Sequence, residues 1–412
     1  MKVLLIGVYH YIKGGSESVF FNTGRLLEEQ GHKVVYFTLK WDKNNPSEFS
    51  EYFPESKETR KGILKNVKNL INYFYHFEAT EKLEKLLKTE KPDVAHIHLL
   101  WGQVTGSIFH VLKKHKVPVV FTAHDHRLVC PAYVFRNGKG QVCEACKGKY
   151  FYNCVLNKCC KGSYALSVVM ASEQFFRNTF LNPAKNIDGF IYVSDFSKKK
   201  HEEYMPALKS EKSIRLYNFS NHITDVGRDM PSKKYYLFYG RLSYEKGVGT
   251  LLSVFERHRD CNLKIVGTGP EQAAFKDFVL KNDMQNVEFL GYKKGEGLFS
   301  LIKKAYFVVV PSECFENNPM TIIESYSFGT PVIGAKIGGI PEIIVENETG
   351  FLFNCEDEKD LSLKVELTQQ LQNDDYIRLS QGALSFAKEN FHKTRYYENL
   401  LNFYQSVVTK DF

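Results

Sequence analysis

The feature that most constrains the fold is an alternation of short apolar runs with amphipathic stretches, which occurs twice along the 412 residues. Short apolar runs indicate buried strands, and apolar positions spaced as in 16–30 indicate helices. In the first half, the predicted strands are 2–9, 32–39, 93–99, 118–124, 188–194 and 213–218. In the second half, they are 235–240, 263–267, 287–291, 306–310 and 331–334. Strands that alternate with helices form parallel sheets, so the sequence predicts an α/β fold with two doubly wound sheets.

The chain is too long for a single core to keep growing, which favours two domains. A polar segment at 221–233 separates the two series and is predicted to be the linker. The tail is predicted to form two helical stretches, 358–390 and 394–409, and the second carries an apolar stripe that must pack on another surface. Residues 41–77 are aromatic-rich and irregular, and we assign them to no element. The predicted domains are 1–220, with a cysteine-rich insertion at about 126–163, and 234–393.

The composition is that of an ordinary globular protein, with 43% hydrophobic and 25% charged residues. No apolar run approaches the ~20 residues that cross a bilayer, and the N-terminus enters the first strand without the apolar core of a signal peptide. We therefore expect mature cytoplasmic sequence. The net charge of +8 favours anionic ligands or an anionic membrane surface. No nucleic-acid recognition motif is present in the sequence, so we expect no nucleic-acid partner.

Two glutamates eight residues apart, Glu316 and Glu324, follow the apolar run 306–310. The ring of Pro319 suits the first turn of a helix, whose free N–H groups then face the carboxyl end of the preceding strand. Glu324 is expected more than a turn inside that helix. One carboxylate in the loop and one on the helix can hold neighbouring parts of one polar ligand. A glutamate pair at this spacing is usually two solvated charges, and the strand–loop–helix context is what favours a site.

Arg241 and Lys246 stand five residues apart after the strand 235–240, with Gly240 and Gly247 beside them. Two cations on one loop after a strand can hold a diphosphate from two sides and offset the charge that grows on a leaving group. Runs of arginine, glutamate and lysine are common on protein surfaces. The position of this run after a strand and between glycines favours an anion site.

A glycine pair, Gly14 and Gly15, follows the first predicted strand and opens a helix. Glycines let backbone N–H groups approach an anion closely, and Ser16 is expected to cap the helix. The pair is weak support for a site when taken alone, because many turns between a strand and a helix contain it.

A polar triplet, His124, Asp125 and His126, closes the predicted strand 118–124. Most histidines in proteins are structural, but one at the carboxyl end of a central parallel strand is well placed to touch a ligand. We therefore expect His124 to contact a ligand, with Asp125 orienting it or facing a second substrate. His126 is assigned no role.

The stretch 306–342 and the loop Gly240–Gly247 closely resemble the donor-binding parts of the retaining glycosyltransferases of family 4. The resemblance implies the GT-B architecture, with two facing Rossmann-like domains, ligands at the convergent carboxyl ends of both sheets, and a last helix, 394–412, that packs back on the N-terminal domain. It implies transfer of a sugar from a UDP- or GDP-linked donor to a hydroxyl of an acceptor sugar or a lipid-linked oligosaccharide. Bacterial cell-surface polysaccharide or glycoconjugate synthesis would be the setting, with peripheral contact to the inner face of the cytoplasmic membrane.

The resemblance also implies a role for each matching residue. Glu316 would contact the donor sugar, and Glu324 the ribose hydroxyls. The residues expected to be catalytic are His124, Glu316, Arg241 and Lys246. Those expected to bind the donor are Gly14, Gly15, Gly240, Arg241, Lys246, Gly291, Tyr292, Asn317, Asn318, Pro319, Met320 and Glu324, and those expected on the acceptor side are Asp125 and Ser16. No Asp-x-Asp set follows a predicted strand, so we expect no catalytic metal.

Six of the nine cysteines lie between 130 and 160. Cys143 and Cys146 have the spacing of a zinc knuckle, and cysteines elsewhere in the insertion can complete a tetrahedral site. A lysine- and glycine-rich segment with few apolar side chains to bury needs a covalent or metal cross-link to stay ordered. A reducing cytoplasm disfavours disulfides. The sequence predicts a structural zinc held by Cys143, Cys146 and two more thiolates, and an iron–sulfur site or a loop of free thiols are the alternatives. The preferred second pair is Cys159 and Cys160, with Cys130 and Cys154 as the other candidates.

Three questions stay open at the level of sequence. The apolar stretch 164–181 is either a core helix of the N-terminal domain, which we favour, or an interfacial surface that admits a lipid-linked acceptor. A nucleotide-sugar epimerase can share the architecture and would turn over the donor without an acceptor. A non-catalytic module would bind nucleotide without transfer and would use the cysteine-rich insertion as a docking surface.

Overall fold

The structure, a computed structural model, describes residues 1–56, 67–209, 212–225 and 227–409. The chain forms two compact units. Unit 1 comprises Met1–Leu216 with Tyr396–Phe412, and unit 2 comprises Tyr217–Arg395. Part of the stretch that the sequence leaves unassigned, 57–66, lies outside the described residues, as does residue 226 of the predicted linker.

Unit 1 is built on one parallel sheet. Its strands are β1 (Lys2–Ile6), β2 (Lys33–Phe37), β3 (Val94–Ile97), β4 (Val119–Ala123), β5 (Gly189–Tyr192) and β6 (Ser213–Arg215), in the spatial order β2-β1-β3-β4-β5-β6. Val3 of β1 pairs with Val34 on one side and with Val94 on the other. Every residue of β3, β4 and β5 is buried, as expected for parallel strands that are covered on both faces.

Unit 2 contains a second parallel sheet. Its strands are β7 (Tyr236–Tyr239), β8 (Leu263–Val266), β9 (Val287–Gly291), β10 (Phe307–Val310), β11 (Val332–Ala335) and β12 (Gly350–Phe353), in the spatial order β12-β11-β10-β7-β8-β9. The two parallel sheets with their helices confirm the predicted α/β fold. Strand β12 was not predicted from the sequence, although its four residues are all buried.

The helices follow the strands in the order that the alternation predicts. In unit 1 they are α1 (Gly15–Glu29), α2 (Val67–Phe74), α3 (Phe77–Glu90), α4 (Phe109–Lys114), α5 (Tyr152–Leu156), α6 (Tyr164–Phe176), α7 (Pro183–Asn186) and α8 (Asp195–Tyr204). In unit 2 they are α9 (Val248–Arg257), α10 (Gln272–Lys281), α11 (Glu296–Lys304), α12 (Met320–Ser327), α13 (Ile340–Ile343), α14 (Glu358–Gln369) and α15 (Asn373–Asn390). Within the described ranges, no helix combines the length and the apolar character needed to cross a membrane.

The prediction of a single helical stretch over 358–390 is wrong, because α14 ends at Gln369 and α15 begins at Asn373. Asp374 and Asp375 lie in the first turn of α15. Negative side chains near an N-terminus stabilise the helix through its dipole, so these residues favour a new helix at this point.

The last helix, α16 (Lys393–Val408), packs within unit 1 from Tyr396 onward. The hydroxyl of Tyr396 is 3.2 Å from Thr23 Oγ1 on α1, and that of Tyr404 is 2.6 Å from His96 Nδ1 on β3. A Cβ on Gly189 of β5 would lie 2.8 Å from the Phe403 ring, so the helix and the sheet are in close contact. The apolar stripe that the sequence shows in 394–409 is thus buried on the first sheet.

The segment 221–233, predicted as a linker, is hydrogen-bonded within unit 2. The N–H of Thr224 donates to Ser327 O over 2.9 Å, and the N–H of Arg228 donates to Ser380 Oγ over 3.0 Å. The guanidinium of Arg228 also donates to the carbonyl of Ala305. The described part of this segment therefore belongs to the body of unit 2.

Candidate active site

The first candidate site lies at the carboxyl edge of the sheet of unit 2. After β7 the chain builds β8 and β9 on one side of the sheet, and it then returns to build β10 on the other side of β7. The order of strands therefore reverses between β7 and β10. Ligands of open parallel sheets bind in the crevice at such a reversal, beyond the carboxyl ends of the strands. The two loops that leave this point are 240–247, after β7, and 311–319, after β10.

Glycine lets these two loops approach each other. Gly247 has a φ of +68°, and a Cβ there would lie 1.8 Å from the carbonyl oxygen of Pro311. The N–H of Glu313 donates to Glu245 O over 3.0 Å and ties the loops together. No side chain other than hydrogen fits at position 247 without moving the backbone, so the close approach of the loops depends on this glycine.

The approach brings Lys246 and Glu316 into an ion pair. Ser312 Oγ donates to Glu316 Oε1 over 2.8 Å. Burial by itself would raise the pKa of Glu316, but the charge and hydrogen bond of Lys246, with the Ser312 hydroxyl, bring that pKa below its ordinary value. Burial would lower the pKa of Lys246, and the charge of Glu316 instead raises it. Both groups are therefore charged at neutral pH, and the lysine side chain is still 30% exposed.

Arg241 lies on the same loop and is exposed. Its guanidinium makes no hydrogen bond or ion pair with the residues that the structure describes. The backbone beside it is fixed, since Gly240 N donates to Val266 O over 3.0 Å and Leu242 N donates to Thr268 O over 3.0 Å. An unpaired guanidinium on a fixed loop next to a lysine is available to an anionic ligand.

The backbone of Glu316 is held by the glycine turn after β11. Gly338 has a φ of +62°, and a Cβ there would lie 2.3 Å from Glu316 O. Gly339 N donates to the same oxygen over 2.7 Å. The carboxylate of Glu316 is thus positioned from both ends, by the cation at its tip and by the glycine turn at its backbone.

Glu324 lies inside α12 and is half-buried. Burial raises the pKa of its carboxyl to about 7, and a hydrogen bond with Tyr239 opposes this rise. The oxygen of the Tyr239 hydroxyl also lies 2.7 Å from Thr321 O, so Thr321 O and the Glu324 carboxyl compete for its one proton. A carboxyl that is poorly solvated as an anion is stabilised by hydroxyl donors, so this position suits a polyhydroxylated ligand.

The loop before α12 contains two buried asparagines, Asn317 and Asn318. Asn318 Oδ1 accepts a hydrogen bond of 2.8 Å from Asn218 N, whereas its Nδ2 is buried without a hydrogen-bond partner in the described part of the chain. Pro319 is the N-cap of α12, which begins at Met320, so the proline lies just before the first turn in which the sequence predicted it. Its fixed φ of −67° suits the turn into the helix.

Gly291 and Tyr292 lie at the end of β9, two strands away from β7. Backbone contacts through Gly267 connect these two residues to the loop after β7. Gly267 N donates to Gly291 O over 2.8 Å, and a Cβ on Gly267 would lie 1.8 Å from Gly240 O. Tyr292 is 66% exposed, so its ring is accessible to a ligand.

In unit 1 the glycine pair opens α1 as predicted, but Ser16 does not cap the helix. Gly14 is the N-cap and has no side chain to accept a hydrogen bond, while Ser16 lies inside the first turn. The Ser16 hydroxyl instead donates to Glu17 Oε2 over 3.4 Å. Burial raises the pKa of the Glu17 carboxyl, which is 6% exposed.

His124 belongs to a cluster of three histidines that the sequence did not reveal. His98 Nδ1 is 2.9 Å from His124 Nε2, and the rings of His96 and His98 have centroids 4.1 Å apart. Burial lowers the pKa of His96 to about 3 and that of His124 to about 4, and it holds the pKa of His98 well below its ordinary value. Neutral rings can pass or accept a hydrogen bond at either nitrogen. The signal was the alternate histidines at the end of β3, which neighbours β4.

The next two residues of the triplet have different surroundings. Asp125 Oδ1 accepts a hydrogen bond of 2.9 Å from Arg127 N. His126 is buried and packs against Phe135 and His201, with ring centroids 5.0 and 5.5 Å away. His126 therefore connects the strand end to the cysteine-rich insertion.

Five cysteines of the insertion line one small cavity: Cys130, Cys143, Cys146, Cys154 and Cys159. Cys160 does not line it. Its sulfur lies 3.8 Å from that of Cys154, and the residue itself is buried. The structure thus brings together three of the four preferred ligands, Cys143, Cys146 and Cys159, and adds Cys130 and Cys154 to them.

The chain matches two models of known protein families. The family model "Glycosyltransferase Family 4" matches residues 13–219, and the model "Glycosyl transferases group 1" matches residues 225–383. An uncharacterised glycosyltransferase of Methanocaldococcus jannaschii is 25% identical over 396 residues, which cover 94% of each chain.

Solved structures share the fold at lower identity. The sucrose-phosphate synthase of Thermosynechococcus elongatus superposes with a TM-score of 0.70 at 17% identity and covers 100% of both chains. The Anabaena protein HepE in complex with UDP and glucose has a TM-score of 0.65 at 16% identity, with 98% of this chain and 100% of that chain covered.

Proposed function

Because the chain belongs to the glycosyltransferases of family 4 and has their GT-B fold, we propose that it transfers a sugar from a UDP- or GDP-sugar to an acceptor hydroxyl with retention of configuration. The observation that carries this proposal is the Lys246–Glu316 ion pair beside the unpaired Arg241, at the point where the strand order of unit 2 reverses. The presence of UDP and glucose in the Anabaena HepE structure supports a nucleoside diphosphate sugar as donor.

Arg241 and Lys246 hold the diphosphate in this proposal. The bond from the anomeric carbon of the sugar to the β-phosphate oxygen breaks, and negative charge grows on the leaving diphosphate. Two preorganised cations offset that charge, which lowers the barrier without a metal ion. The acceptor oxygen attacks from the face that the diphosphate leaves. Its proton passes to an oxygen of the diphosphate, so that the products are a neutral glycoside and a nucleoside diphosphate.

The two glutamates bind the sugar and the ribose of the donor. Glu316, charged and held from both ends, accepts hydrogen bonds from hydroxyls of the transferred sugar. Glu324, whose pKa burial raises to about 7, accepts hydrogen bonds from the ribose hydroxyls. Backbone groups of Asn317, Asn318, Pro319 and Met320 complete the sugar site, and those of Gly291 and Tyr292 hold the base.

The residues of unit 1 have the remaining roles. The neutral His124, supported by His98, donates or accepts a hydrogen bond at the transferred sugar. Gly14 and Gly15 present backbone N–H groups to a phosphate of the donor, as at other helix N-termini. Asp125 and Ser16 serve the acceptor.

A lipid-linked acceptor at the inner face of the cytoplasmic membrane fits the surface of unit 1. Tyr164, Val168 and Phe175 share one face of α6 and are 56%, 47% and 59% exposed, and Phe180 in the following turn is 68% exposed. The ammonium of Lys158 lies 4.3 Å from the centre of the Tyr164 ring. Exposed aromatic side chains next to lysines are typical of surfaces that bind anionic membranes.

Vesicle sedimentation tests this surface. We expect the wild type to bind vesicles that contain anionic lipid and to lose that binding at high salt. The double variant Phe175→Ser/Phe180→Ser should stay in solution, while Leu280→Ser, which replaces an 80% exposed leucine of unit 2, should bind like the wild type. Equal binding of all three proteins would contradict the membrane role.

The transferase itself is tested with purified protein and a panel of UDP- and GDP-sugars, each with and without lipid-diphosphate acceptors. We expect the release of nucleoside diphosphate to depend on the acceptor and to continue in excess EDTA. Conversion of the donor without acceptor would indicate an epimerase instead. Binding of nucleotide without any turnover across the panel would indicate a non-catalytic module, and either result would overturn the proposal.

A further inference from the structure

The cysteine cavity has features that no role in sugar transfer explains. Its lining includes five thiols on three separate segments, at 130, at 143–146 and at 154–159, which the fold of the insertion brings together. The sulfurs are close enough to interact: that of Cys146 lies in the field of Cys130, Cys159 and Cys143. Thiols that are gathered from separate segments into one small cavity are the usual arrangement of a zinc site.

Backbone groups near Cys130 contact its sulfur. Backbone groups of Ala132, Tyr133 and Phe135 form hydrogen bonds with the thiol. To do so, the chain places Tyr133 at a φ of +60° and Phe135 at a φ of +52°. Residues other than glycine rarely adopt this left-handed backbone conformation. It persists where the surrounding structure imposes it. Backbone groups that converge on a cysteine sulfur are a common outer-shell feature of metal-binding cysteines.

The other segments are joined to the same point. Cys143 N donates to Phe135 O over 2.8 Å, so the turn that carries Cys143 and Cys146 is fixed to the turn after Cys130. The thiols of Cys143 and Cys154 both lie beside that of Cys159 and act on it electrostatically. Cys154 differs from the other four in that its sulfur also lies 3.8 Å from that of Cys160, which is outside the lining, so Cys154 already has a second thiol as a neighbour.

We propose that the insertion binds one zinc ion through Cys130, Cys143, Cys146 and Cys159. Four thiolates bind zinc tetrahedrally at about 2.3 Å, so their sulfurs must be about 3.8 Å apart. Among the described residues, the three side chains whose candidate ligand atoms all lie within 4.8 Å of one another are His258, Asp260 and Cys261. The sulfurs of the insertion are therefore more widely spaced than in a filled site, and they converge when the ion binds.

The charge of the insertion suits this ligand set. A zinc ion with four thiolates has a net charge of about −2. Between 126 and 163 the chain has seven lysines and arginines and a single acidic residue, Glu144. One of these cations, Arg136, lines the cavity itself. Surrounding positive charge stabilises an anionic metal centre.

The metal site is connected to the strand end that carries Asp125. The Arg127 guanidinium lies 4.5 Å from the centre of the ring of Tyr133, whose backbone serves Cys130. The N–H of Arg127 in turn holds the carboxylate of Asp125. Loss of zinc should therefore loosen the position of Asp125. If the proposed function is also right, the KM for the acceptor should rise more than the KM for the donor.

Elemental analysis of the full chain, purified without a polyhistidine tag from zinc-supplemented culture, tests the site. We expect about one zinc per chain in the wild type and less than about 0.2 in Cys130→Ser and Cys146→Ser. Cys160→Ser, in the same insertion, and Cys261→Ser, in the His258 group, should keep the ion. Loss of zinc in Cys160→Ser with retention in Cys130→Ser would overturn this ligand set.

A second measurement guards against variants that fail to fold. Cobalt added to the metal-free wild type should give the visible absorption of a tetrahedral thiolate site, and removal of zinc should leave the circular dichroism of the two sheets largely unchanged. A folded wild type that has no zinc, and whose thiols all react at once, would overturn the proposal. Iron with a cluster chromophore in place of zinc would overturn it as well.

Discussion

Replacing Lys246 by alanine is expected to slow sugar transfer far more than it weakens the fold. The change removes one of the two cations that meet the diphosphate. It also leaves Glu316 without its cation, so that the Ser312 hydroxyl is the remaining contact that favours the charged form. Because burial then acts against the charged form with less opposition, the pKa of Glu316 should rise above its ordinary value in the variant.

The magnitude follows from the kind of contact that is lost. One preorganised charge at a developing anion stabilises the transition state by about 2–4 kcal/mol, which corresponds to a loss of roughly 30- to 1,000-fold in kcat. The cost in folding is smaller. Lys246 is 30% exposed and Glu316 15%, so the pair lies between a buried and a surface ion pair. We expect the free energy of unfolding to fall by about 1–2 kcal/mol.

Acceptor-dependent release of nucleoside diphosphate gives kcat, and thermal unfolding gives the stability. Lys264→Ala is the matched control, because Lys264 of β8 is also 30% exposed and pairs with Glu288 at 3.7 Å. A kcat of Lys246→Ala within about threefold of that of Lys264→Ala would refute the assignment of this loop.

Three further predictions concern protonation and backbone shape. Burial raises the pKa of Glu324 to about 7 from 4.5, so between these pH values the folded chain binds a proton that the unfolded chain has lost. The free energy of unfolding should therefore fall as pH rises from 4.5 to 7, and denaturant unfolding of Glu324→Gln should show a weaker dependence on pH in this range. Burial holds the pKa of His98 well below 6.5, so the unfolded chain binds more protons than the folded chain below that pH. The free energy of unfolding should therefore fall as pH falls from 6.5, and it should fall less in His98→Gln than in the wild type when both are titrated with acid. Gly338→Ala places a Cβ 2.3 Å from Glu316 O and should lower kcat at least tenfold. Gly249→Ala, whose Cβ has no neighbour within 4 Å, should leave kcat unchanged. Similar rates for the two variants would contradict the role of the turn.

Much of the fold could be predicted because the central strands are buried on both faces. Such strands are continuous apolar runs, and β10 was predicted to begin only one residue before the observed start at Phe307. The edge strand β12 is buried too, but it was missed because its run of large apolar side chains has only three residues, Phe351–Phe353, between Gly350 and Asn354. The break between α14 and α15 was also missed, because the apolar positions continue on either side of it and only the acidic residues after Gln372 mark the new start.

The candidate site was predictable to the extent that its residues follow strands directly. Lys246, Glu316 and His124 all lie on loops after central strands, where parallel sheets bind ligands. The ion pair between Lys246 and Glu316 was not predicted, since it depends on β7 and β10 being neighbours although β8 and β9 separate them in the chain. The histidine cluster was missed for the same reason, because contacts across strands depend on the sheet order.

The configuration of the new glycosidic bond is the most direct test of the central claim, which is same-face transfer from a nucleoside diphosphate sugar without a metal ion. The product of the preferred donor and acceptor would be collected in excess EDTA, and the proton coupling at the anomeric carbon would be read by NMR. We predict that the product has the same anomeric configuration as the donor. An inverted product, or turnover that ceases in EDTA and returns only with added Mg²⁺ or Mn²⁺, would contradict it.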